Sequence, residues 1–369
     1  MKSRAIAITL LVLTGTCQAR SQEMPWSSVG SAGIAAYQRW DLNEAEKLFE
    51  ESAKEAEQFG SSDPRFAIAL NNQAMCLFAL GRYSEAESLF KQALAIDQRI
   101  PGAGRSEVAN ILNNLASVQE KLGKYSEATS LYGQALVMVR ENAPSDQLTA
   151  ATVQFNLAEL FAERGKYKDA EKLYRSVIAT RQALLGPHSE PLAAAISEMA
   201  SLRYYQHKYR EAEGLYRQAH SIWEHQLEPL TARQKSDFAS SVANLGVLYF
   251  HAHQYDEAKT LFERALNMDE ETLGPDDLRV GKRLSELASA EIAAGQYDEA
   301  EPLCLRAISL LEKYSPKPYL ALVDALNIYG GLLDRTNRRP QAELLETRAM
   351  VYRAKFNETK ADHAFLPLN

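Results

Sequence analysis

A cluster of the form aromatic-x-Glu-Ala recurs along the chain, with some variation, at a nearly constant interval. The intervals between its alanines are 41, 42, 42, 42, 46, 42 and 42 residues. A period in this range indicates an array of stacked repeats, each of which packs only against its neighbours. The 369 residues therefore predict one solenoid of eight repeats and not two or three separate globular cores. The eight anchor alanines are Ala45, Ala86, Ala128, Ala170, Ala212, Ala258, Ala300 and Ala342.

Small and large side chains fall at fixed distances from each anchor alanine. Seven residues after it lies a small residue in every repeat except the fourth, which has Val177, and four after it lies a large packing group such as Phe49 or Tyr132. Offsets of four and seven lie on one face of a helix. A further small residue, twelve before the anchor, allows a second helix to approach closely: Gly33, Ala74, Ala116, Ala158, Ala200, Gly246, Ala288 and Gly330. Each repeat is therefore predicted to be a helix pair.

The turn between the two helices is also legible. Five residues before the anchor, four repeats have glycine, and His207, His253 and Asn337 replace it elsewhere. A helix often ends at a left-handed residue, which glycine adopts freely and His or Asn tolerate. The next helix is then expected to open with a capping box, such as Ser84 with Glu87 or Asp298 with Glu301.

This pattern resembles the tetratricopeptide repeat family over residues 29–356. The family's tyrosine position is occupied by Tyr83, Tyr125, Tyr167, Tyr209, Tyr255 and Tyr297. The family's usual repeat has 34 residues, so a 42-residue repeat implies longer helices and is similar to the kinesin light chain type. HEAT and armadillo repeats share this period, but a glycine-x-tyrosine turn is not expected in them. The resemblance implies an all-α, right-handed superhelical solenoid of about eight antiparallel helix pairs.

The two ends of the array depart from the pattern. Trp40 occupies the glycine position of the first repeat, and Glu346 replaces a buried aromatic in the eighth. A terminal repeat has one face in water, so polar replacement is expected there. The 46-residue interval contains Glu228-Pro229-Leu230-Thr231, which predicts a lengthened loop, and residues 357–369 are predicted to form a mobile tail.

The first nineteen residues have the composition of a signal peptide. Lys2 and Arg4 precede an apolar run at 5–15, and Cys17-Gln18-Ala19 offers small residues for cleavage after Ala19. Residues 20–28 would then be a short linker. An uncleaved anchor remains an alternative, and the residues before Cys17 fit a lipidation motif poorly. The sequence predicts a secreted or periplasmic protein with no transmembrane span in its mature chain.

No constellation of catalytic or metal-binding residues is recognisable. Cys76 and Cys304 lie in distant repeats at apolar helical positions and are predicted to be buried free thiols. His251 and His253, two residues apart, would face different ways on a helix. We therefore expect no enzyme activity, cofactor or metal. The net charge of −7, without a basic stripe, argues against a nucleic-acid partner.

One row of polar residues is the candidate binding site. The resemblance implies that the first helix of each repeat lines the concave surface and that positions two and three before its small residue face inward. An Asn side chain carries donors and an acceptor, so a row of them suits the main chain of an extended peptide; the resemblance to kinesin light chain implies the same. Alternatively, these amides bridge neighbouring helices or face water. The predicted groove residues are Asn71, Asn72, Asn113, Asn114, Asn156, Glu198, Asn244 and Glu286.

We therefore expect a non-catalytic protein–protein interaction scaffold outside the cytoplasm, holding an extended peptide or protein partner in this groove. Because Glu198 and Glu286 replace asparagine in later repeats, the bound segment is expected to be neutral at one end and basic at the other. Lys and Arg are missing from the predicted inward positions, so a carboxylate clamp for a chaperone C-terminus is not expected. The alternative function is a structural accessory subunit of a cell-envelope secretion or polysaccharide-export complex.

Overall fold

Helices account for all regular secondary structure that the computed structural model describes. It describes residues 27–99, 105–142, 146–225, 230–313 and 320–362. These ranges contain sixteen α-helices, and successive helices pack as pairs. The prediction of an all-α chain of helix pairs is confirmed.

Each repeat consists of a first and a second helix joined by a tight turn. The first helices are α1 (Ser28–Gln38), α3 (Pro64–Ala79), α5 (Arg105–Lys121), α7 (Gln147–Glu163), α9 (Glu190–Tyr205), α11 (Ala232–His251), α13 (Leu278–Ala294) and α15 (Leu320–Arg335). The second helices are α2 (Leu42–Glu57), α4 (Tyr83–Asp97), α6 (Tyr125–Asn142), α8 (Tyr167–Leu185), α10 (Tyr209–Glu224), α12 (Tyr255–Leu273), α14 (Tyr297–Lys313) and α16 (Arg339–Asp362).

The chain divides into two compact units. Of the described residues, those up to Leu202 form the N-terminal unit, with α1 to α8 and most of α9, and those from Arg203 onward form the C-terminal unit, with α10 to α16. Each unit has its own polar organisation along its first helices, and these are described separately below.

The anchor register read from the sequence is the register of the core. All eight anchor alanines are fully buried. The packing group four residues later is buried in the first seven repeats, from Phe49 to Cys304. At Gly246 the helices approach so closely that an added Cβ would lie 2.8 Å from Phe262 Cε1. The small residues of the repeat therefore leave room for an aromatic ring from the facing helix.

The predicted left-handed turn residues are confirmed. Glycines such as Gly81 (φ 74°) and Gly295 (φ 82°) adopt this conformation, and so do His207 and His253 (both φ 61°) and Asn337 (φ 59°). Trp40 takes the same conformation in the first repeat, with φ 65°. The turn geometry is thus kept even where the residue is not glycine, since the packed helix pair over-determines it.

The predicted capping boxes are wrong. The second helix begins at the tyrosine, so Ser84 lies inside α4, and its N-cap is Arg82, which makes no side-chain capping bond. The tight turn fixes this start, because the Arg82 carbonyl already accepts a bond from the Ala86 N–H at 3.1 Å. A complete capping box occurs instead at the start of α11, between Thr231 and Gln234.

The 46-residue interval contains a lengthened helix. Helix α11 has 20 residues, whereas the first helices of the other repeats after the first have 16 or 17. Thr231 is its N-cap, and Glu228 and Pro229 lie outside the described residues. The interval therefore adds about one turn to α11, and the predicted lengthened loop lies partly outside the described residues.

The exposed surface of the eighth repeat is partly polar. Arg339 pairs with Asp334 (2.7 Å) and Glu346 (3.3 Å) on its surface, as expected for a cap, although Met350 is 69% exposed. Helix α16 continues to Asp362, beyond the predicted array boundary at 356, and the rest of the predicted tail lies outside the described residues. The predicted signal peptide at 1–19 does too.

Cys76 and Cys304 are buried free thiols, as predicted. Burial raises the pKa of the Cys76 and Cys304 thiols to about 12. In the segments that the structure covers, no helix combines the length and apolarity required to cross a membrane.

Candidate functional site

The predicted groove asparagines of the N-terminal unit lie on α3, α5 and α7, and all of them except Asn72 are joined by side-chain hydrogen bonds into a ladder. Asn114 Nδ2 donates to Asn71 Oδ1 at 3.2 Å, and Asn156 Nδ2 donates to Asn113 Oδ1 at 2.9 Å. Within α5, Asn113 Nδ2 lies 3.4 Å from Asn114 Oδ1. We call Asn71, Asn72, Asn113, Asn114 and Asn156 the amide column. The alternative in which the amides bridge neighbouring helices is therefore what the structure shows.

The amide column is mostly covered. Asn113 is only 1% exposed and Asn156 6%, and Asn71 is partly buried. Each bridging bond uses one amide hydrogen and one oxygen lone pair, whereas each amide has two hydrogens and two lone pairs. The column is thus held in a fixed orientation with hydrogen-bonding capacity left over, and contact with a partner remains a prediction.

The ladder stops at both ends for the same reason. Each rung joins two positions. The first is the Asn two residues before the small residue of one repeat, whose side-chain amide donates. The second is the residue three before the small residue of the preceding repeat, whose side-chain oxygen accepts. In the first repeat that second position is Gly30, and in the fourth it is Phe155, neither of which has a side-chain oxygen. Asn72 Nδ2, which has no rung to join, is buried without a hydrogen-bond partner.

Carboxylates follow the amides where the ladder stops. Glu198 on α9 takes the column position of the fifth repeat. Glu159 and Glu163 on α7 lie near it, and Glu120 on α5 lies near Glu159. We call these four residues the carboxylate cluster. Lys121 Nζ pairs with Glu120 at 2.9 Å, whereas Glu159 and Glu198 form no ion pair with any described residue.

The electrostatics of the cluster are those of crowded, poorly hydrated acids. Burial, with the charge of Glu163, raises the pKa of Glu198 to about 7. Burial also raises the pKa of Glu159 well above its ordinary value, with Glu198 and Glu120 adding to the effect. Within the cluster, both carboxylates hold protons at a pH where exposed acids have lost them.

Two aromatic side chains, Phe155 and Tyr174, pack together beside the cluster. Phe155 and Tyr174 meet edge to face with ring centroids 5.8 Å apart, and the Arg181 guanidinium lies 4.6 Å from the centre of the Phe155 ring. Arg181 Nη1 donates to the carbonyl oxygen of Pro191 at 2.7 Å, but Nη2 is buried without a partner. Burial lowers the pKa of Arg181 to about 10, although Glu159 acts in the opposite direction.

The corresponding face of the C-terminal unit is internally paired. Glu286, in the column position of the seventh repeat, contacts Arg283 Nη1 at 3.0 Å and Lys282 Nζ at 3.4 Å. Burial acts to raise the pKa of Glu286, but Lys282 and Arg283 outweigh it and the pKa is lowered. Asn244, the column residue of the sixth repeat, is partly exposed on α11.

Ionic rungs replace the amide rungs in this unit. Arg283 Nη2 donates to Ser240 Oγ at 2.8 Å, and Arg279 Nη1 donates to Ser236 Oγ at 2.9 Å. Arg283 Nε also donates to the fully buried Asp269 at 2.8 Å. The residues joined by each rung lie 43 apart, the same separation as in the amide rungs. Neighbouring first helices are thus bridged in both units, by neutral groups in one and by charged groups in the other.

Five charged residues of this region were not predicted from the sequence: Glu120, Lys121, Glu159, Glu163 and Arg181. Glu159 and Glu163 are four apart on α7, so their shared face could be read from the sequence. Arg181 could not, because it reaches the site from the second helix.

A cleft of about 460 Å³ lies on another face of the N-terminal unit, between α6, α7 and α8. Leu136, Val139 and Ala150 line it, and Ser176 Oγ donates to Gln154 Oε1 at 3.2 Å. Gln154 is two residues from Asn156 on α7, so it provides a control position on the other side of the same helix.

Comparison with protein-family models places most of the chain in one family. A model described as tetratricopeptide repeat matches residues 29–97, 65–141, 149–225 and 238–313, and a second with the same description matches residues 113–183. Comparison with curated protein sequences finds no match.

Similar solved structures share the fold at low sequence identity. The apo form of the quorum sensor NprR from B. thuringiensis has a TM-score of 0.63 at 14% identity, covering 88% of this chain and 86% of its own. The Rap conjugation regulator of plasmid pLS20, in complex with the Phr* peptide, has a TM-score of 0.59 at 14% identity, covering 83% and 77%. Kinesin light chain TPR-like repeats of Podosopora anserina have a TM-score of 0.46 at 23% identity, covering 57% and 98%.

Proposed function

Because the chain belongs to the tetratricopeptide repeat family, we propose that it is a non-catalytic scaffold that holds an extended segment of a protein partner along the amide column. The family's helical repeats are typical of protein–protein interaction scaffolds. The observation that carries the proposal is the ladder itself, in which two inter-helix hydrogen bonds between side-chain amides hold a row of Asn side chains in one orientation.

A pre-ordered row of amides suits a main chain better than a particular side chain. An extended peptide offers a donor and an acceptor on every residue and advances about 3.3 Å per residue. Each new hydrogen bond contributes about 0.5–1.5 kcal/mol net. Since little of each amide is exposed, the affinity from the column alone is modest, and groups beside the column set the preference among partners.

The similar structures support a peptide ligand by analogy of fold. The Rap regulator is seen with the Phr* peptide. At 14% identity this likeness concerns the fold, and function depends on the site. The proposal for this chain therefore depends on its own amide column.

Selection from a displayed library of random 12-residue peptides tests the proposal. We expect the wild-type protein to enrich peptides that then bind the isolated protein in solution. Asn156→Ala should weaken binding of those peptides about two- to tenfold, whereas Gln154→Ala, on the other side of α7, should leave it unchanged. Binding is measured well below the melting temperature, because Asn156→Ala also removes a structural bond.

Two outcomes contradict the proposal. One is a selection in which the wild-type protein enriches no peptide over an immobilised blank surface. The other is a set of peptides whose affinity falls equally for Asn156→Ala and Gln154→Ala, which would place binding away from the amide column.

We also propose that the scaffold acts outside the cytoplasm, on the strength of the signal-peptide composition of residues 1–19. Expression of the full chain in a secreting host, followed by fractionation and N-terminal sequencing, tests this. A mature protein that begins at Arg20 in the exported fraction supports the proposal. A chain that retains residue 1 in the cytoplasmic fraction contradicts it.

A further inference from the structure

Helix α16 lacks charge on a stripe where every other second helix carries it. The residues two, five, nine and twelve after the anchor alanine lie on one helical face, and none of them is buried in any repeat. In each of the first seven repeats at least one of the four is charged, such as Lys47, Arg175 or Glu263. In the eighth repeat none is charged. We call its four residues the α16 stripe: Leu344, Thr347, Val351 and Ala354.

The α16 stripe is open to solvent in the protein by itself. Leu344 is 64% exposed and Val351 48%, and Met350 beside them is 69% exposed. Large apolar side chains are often exposed singly, whereas several together on one helix indicate a contact surface. The first repeat is charged at all four equivalent positions, so it does not offer an apolar surface to the stripe of another copy.

The spacing of the stripe is that of a two-stranded coiled coil. Its members are three, four and three residues apart, which places Leu344 and Val351 at one seam position and Thr347 and Ala354 at the other. Helix α16 has 24 residues, whereas the other second helices have 15 to 19. Because α16 is already held in place by packing on α15, pairing with another helix costs little ordering.

We infer that the α16 stripe binds the same stripe on a second copy of this chain, with the two α16 helices parallel about a two-fold axis. A single apolar stripe is complementary to itself, which is the basis of a two-fold dimer. Two copies cover each other's stripes and leave none for a third. The inference is independent of the proposed function, because the stripe lies on a second helix and the amide column on first helices.

The charges beside the stripe favour a parallel pair. Glu343 borders one edge and Arg348, five residues later, borders the other. In a parallel two-stranded coil these positions face each other, so Glu343 of each copy lies opposite Arg348 of the other. An antiparallel pair would instead set the edge of Arg348 and Lys355 against itself, which like charges disfavour.

The ion pairs within one copy are compatible with this arrangement. Glu343 pairs with Arg339 at 3.2 Å, with both side chains more than half exposed, and exposed pairs of this kind are weak. Arg348 pairs with Glu312, but a guanidinium has several N–H donors and can serve two carboxylates. Neither pair covers the apolar stripe.

The dimer should be reversible and of moderate strength. A seam of two heptads is at the small end of specific interfaces, which bury below about 1,200 Å² in total. We therefore expect a dissociation constant of the order of ten micromolar. The protein should be mostly monomeric at about 1 µM and mostly dimeric at about 100 µM, without growth to larger assemblies.

Sedimentation equilibrium of the full chain across that range tests the inference. The variant Leu344→Glu/Val351→Glu should raise the dissociation constant at least about tenfold. The control Leu184→Glu/Val137→Glu should leave it unchanged, since it makes the same substitutions at 50% and 44% exposed positions on α8 and α6. Val137 also occupies the same repeat position as Val351. All the changed side chains are exposed, and circular dichroism melting curves check that both variants stay folded.

A cysteine at the seam tests the parallel arrangement. In a parallel pair Ala354 meets Ala354 of the second copy, so Ala354→Cys should form a disulfide-linked dimer under mild oxidation. Wild type, with its own three cysteines, is the blank. In an antiparallel pair the two introduced thiols would be too far apart to bridge.

Four results overturn the inference. They are a wild-type protein that stays monomeric over the whole range, one that grows beyond two copies, a loss of association that is equal in the Leu344→Glu/Val351→Glu variant and the control, and an Ala354→Cys protein that cross-links no more than wild type. The proposed function stands or falls separately, because its test measures peptide binding to Asn156→Ala and Gln154→Ala.

Discussion

The fifth and seventh repeats place a glutamate at the same column position, with opposite results. Glu286 is neutralised by Lys282 and Arg283, and its pKa is lowered. Glu198 has no ion-pair partner among the described residues, and its pKa is raised to about 7. The position is equivalent in the repeat, so the difference arises from the neighbouring side chains. The glutamate at this position is thus paired within the C-terminal unit and left without an ion pair in the N-terminal unit.

The largest expected effect comes from breaking the ionic network. Arg283→Met leaves the fully buried Asp269 and the partly buried Glu286 without their guanidinium partner. Stranding a buried charge in this way costs about 3–5 kcal/mol. Arg175→Met, which breaks the exposed pair with Glu171, should cost less than about 1 kcal/mol. Urea unfolding followed by circular dichroism measures both, and equal losses would show that the network is not structural.

A smaller loss is expected from the neutral ladder. Asn113→Ala removes the acceptor of Asn156 Nδ2 and one donor to Asn114. We expect a loss of about 1–3 kcal/mol in the free energy of unfolding, because a buried amide is left unpaired. The matched change Gln154→Ala breaks only an exposed bond to Ser176 and should cost well under 1 kcal/mol. A neutral Asn113→Ala would mean that the amide rungs contribute nothing to packing.

The two glutamates should respond oppositely to neutralisation. The folded-state pKa of Glu198 is raised from its ordinary 4.5, so the native state retains the proton more strongly and stability falls as pH rises from about 5 through about 7. Glu198→Gln should therefore stabilise the protein at pH 8, by roughly 1 kcal/mol after allowance for solvent screening, and have little effect at pH 5.

Glu286→Gln should do the reverse. Its folded pKa is lowered, so its contribution is present above the ordinary pKa and is lost as pH falls through the folded value. At pH 8 we expect a destabilisation of roughly 1 kcal/mol or more. Melting curves of both variants at pH 5 and pH 8 check the pair; shifts of the same sign at pH 8 would contradict the difference between the units.

The smallest effect is expected at Asn244. This column residue is partly exposed and takes part in neither type of rung. Asn244→Ala should change the free energy of unfolding by no more than about 0.5 kcal/mol, as for an ordinary surface position. A loss as large as that of Asn113→Ala would reveal a contact equivalent to the amide ladder in the C-terminal unit.

Prediction from the sequence succeeded where the same local pattern of side chains repeats along the chain. The anchor alanines, the packing groups four residues later and the left-handed turns are all where the 42-residue spacing puts them. It failed where two local rules give the same pattern. Ser84 has the spacing of a capping residue but lies inside α4, because the N-cap is Arg82, two residues earlier. The pairing of Glu286 was readable, since Lys282 and Arg283 precede it by four and three residues on the same helix.

The helix pairs, their register and the row of asparagines can all be predicted from the sequence. They follow from side-chain size and helical periodicity, which act within one repeat and are copied eight times. The partners of the asparagines, and the glutamate that is left unpaired, depend instead on how the helices pack. Asn114 and Asn71 are 43 residues apart, and Arg181 reaches Phe155 from another helix. Such groups meet only after neighbouring helices have packed, and burial then fixes their hydrogen bonds and their charge.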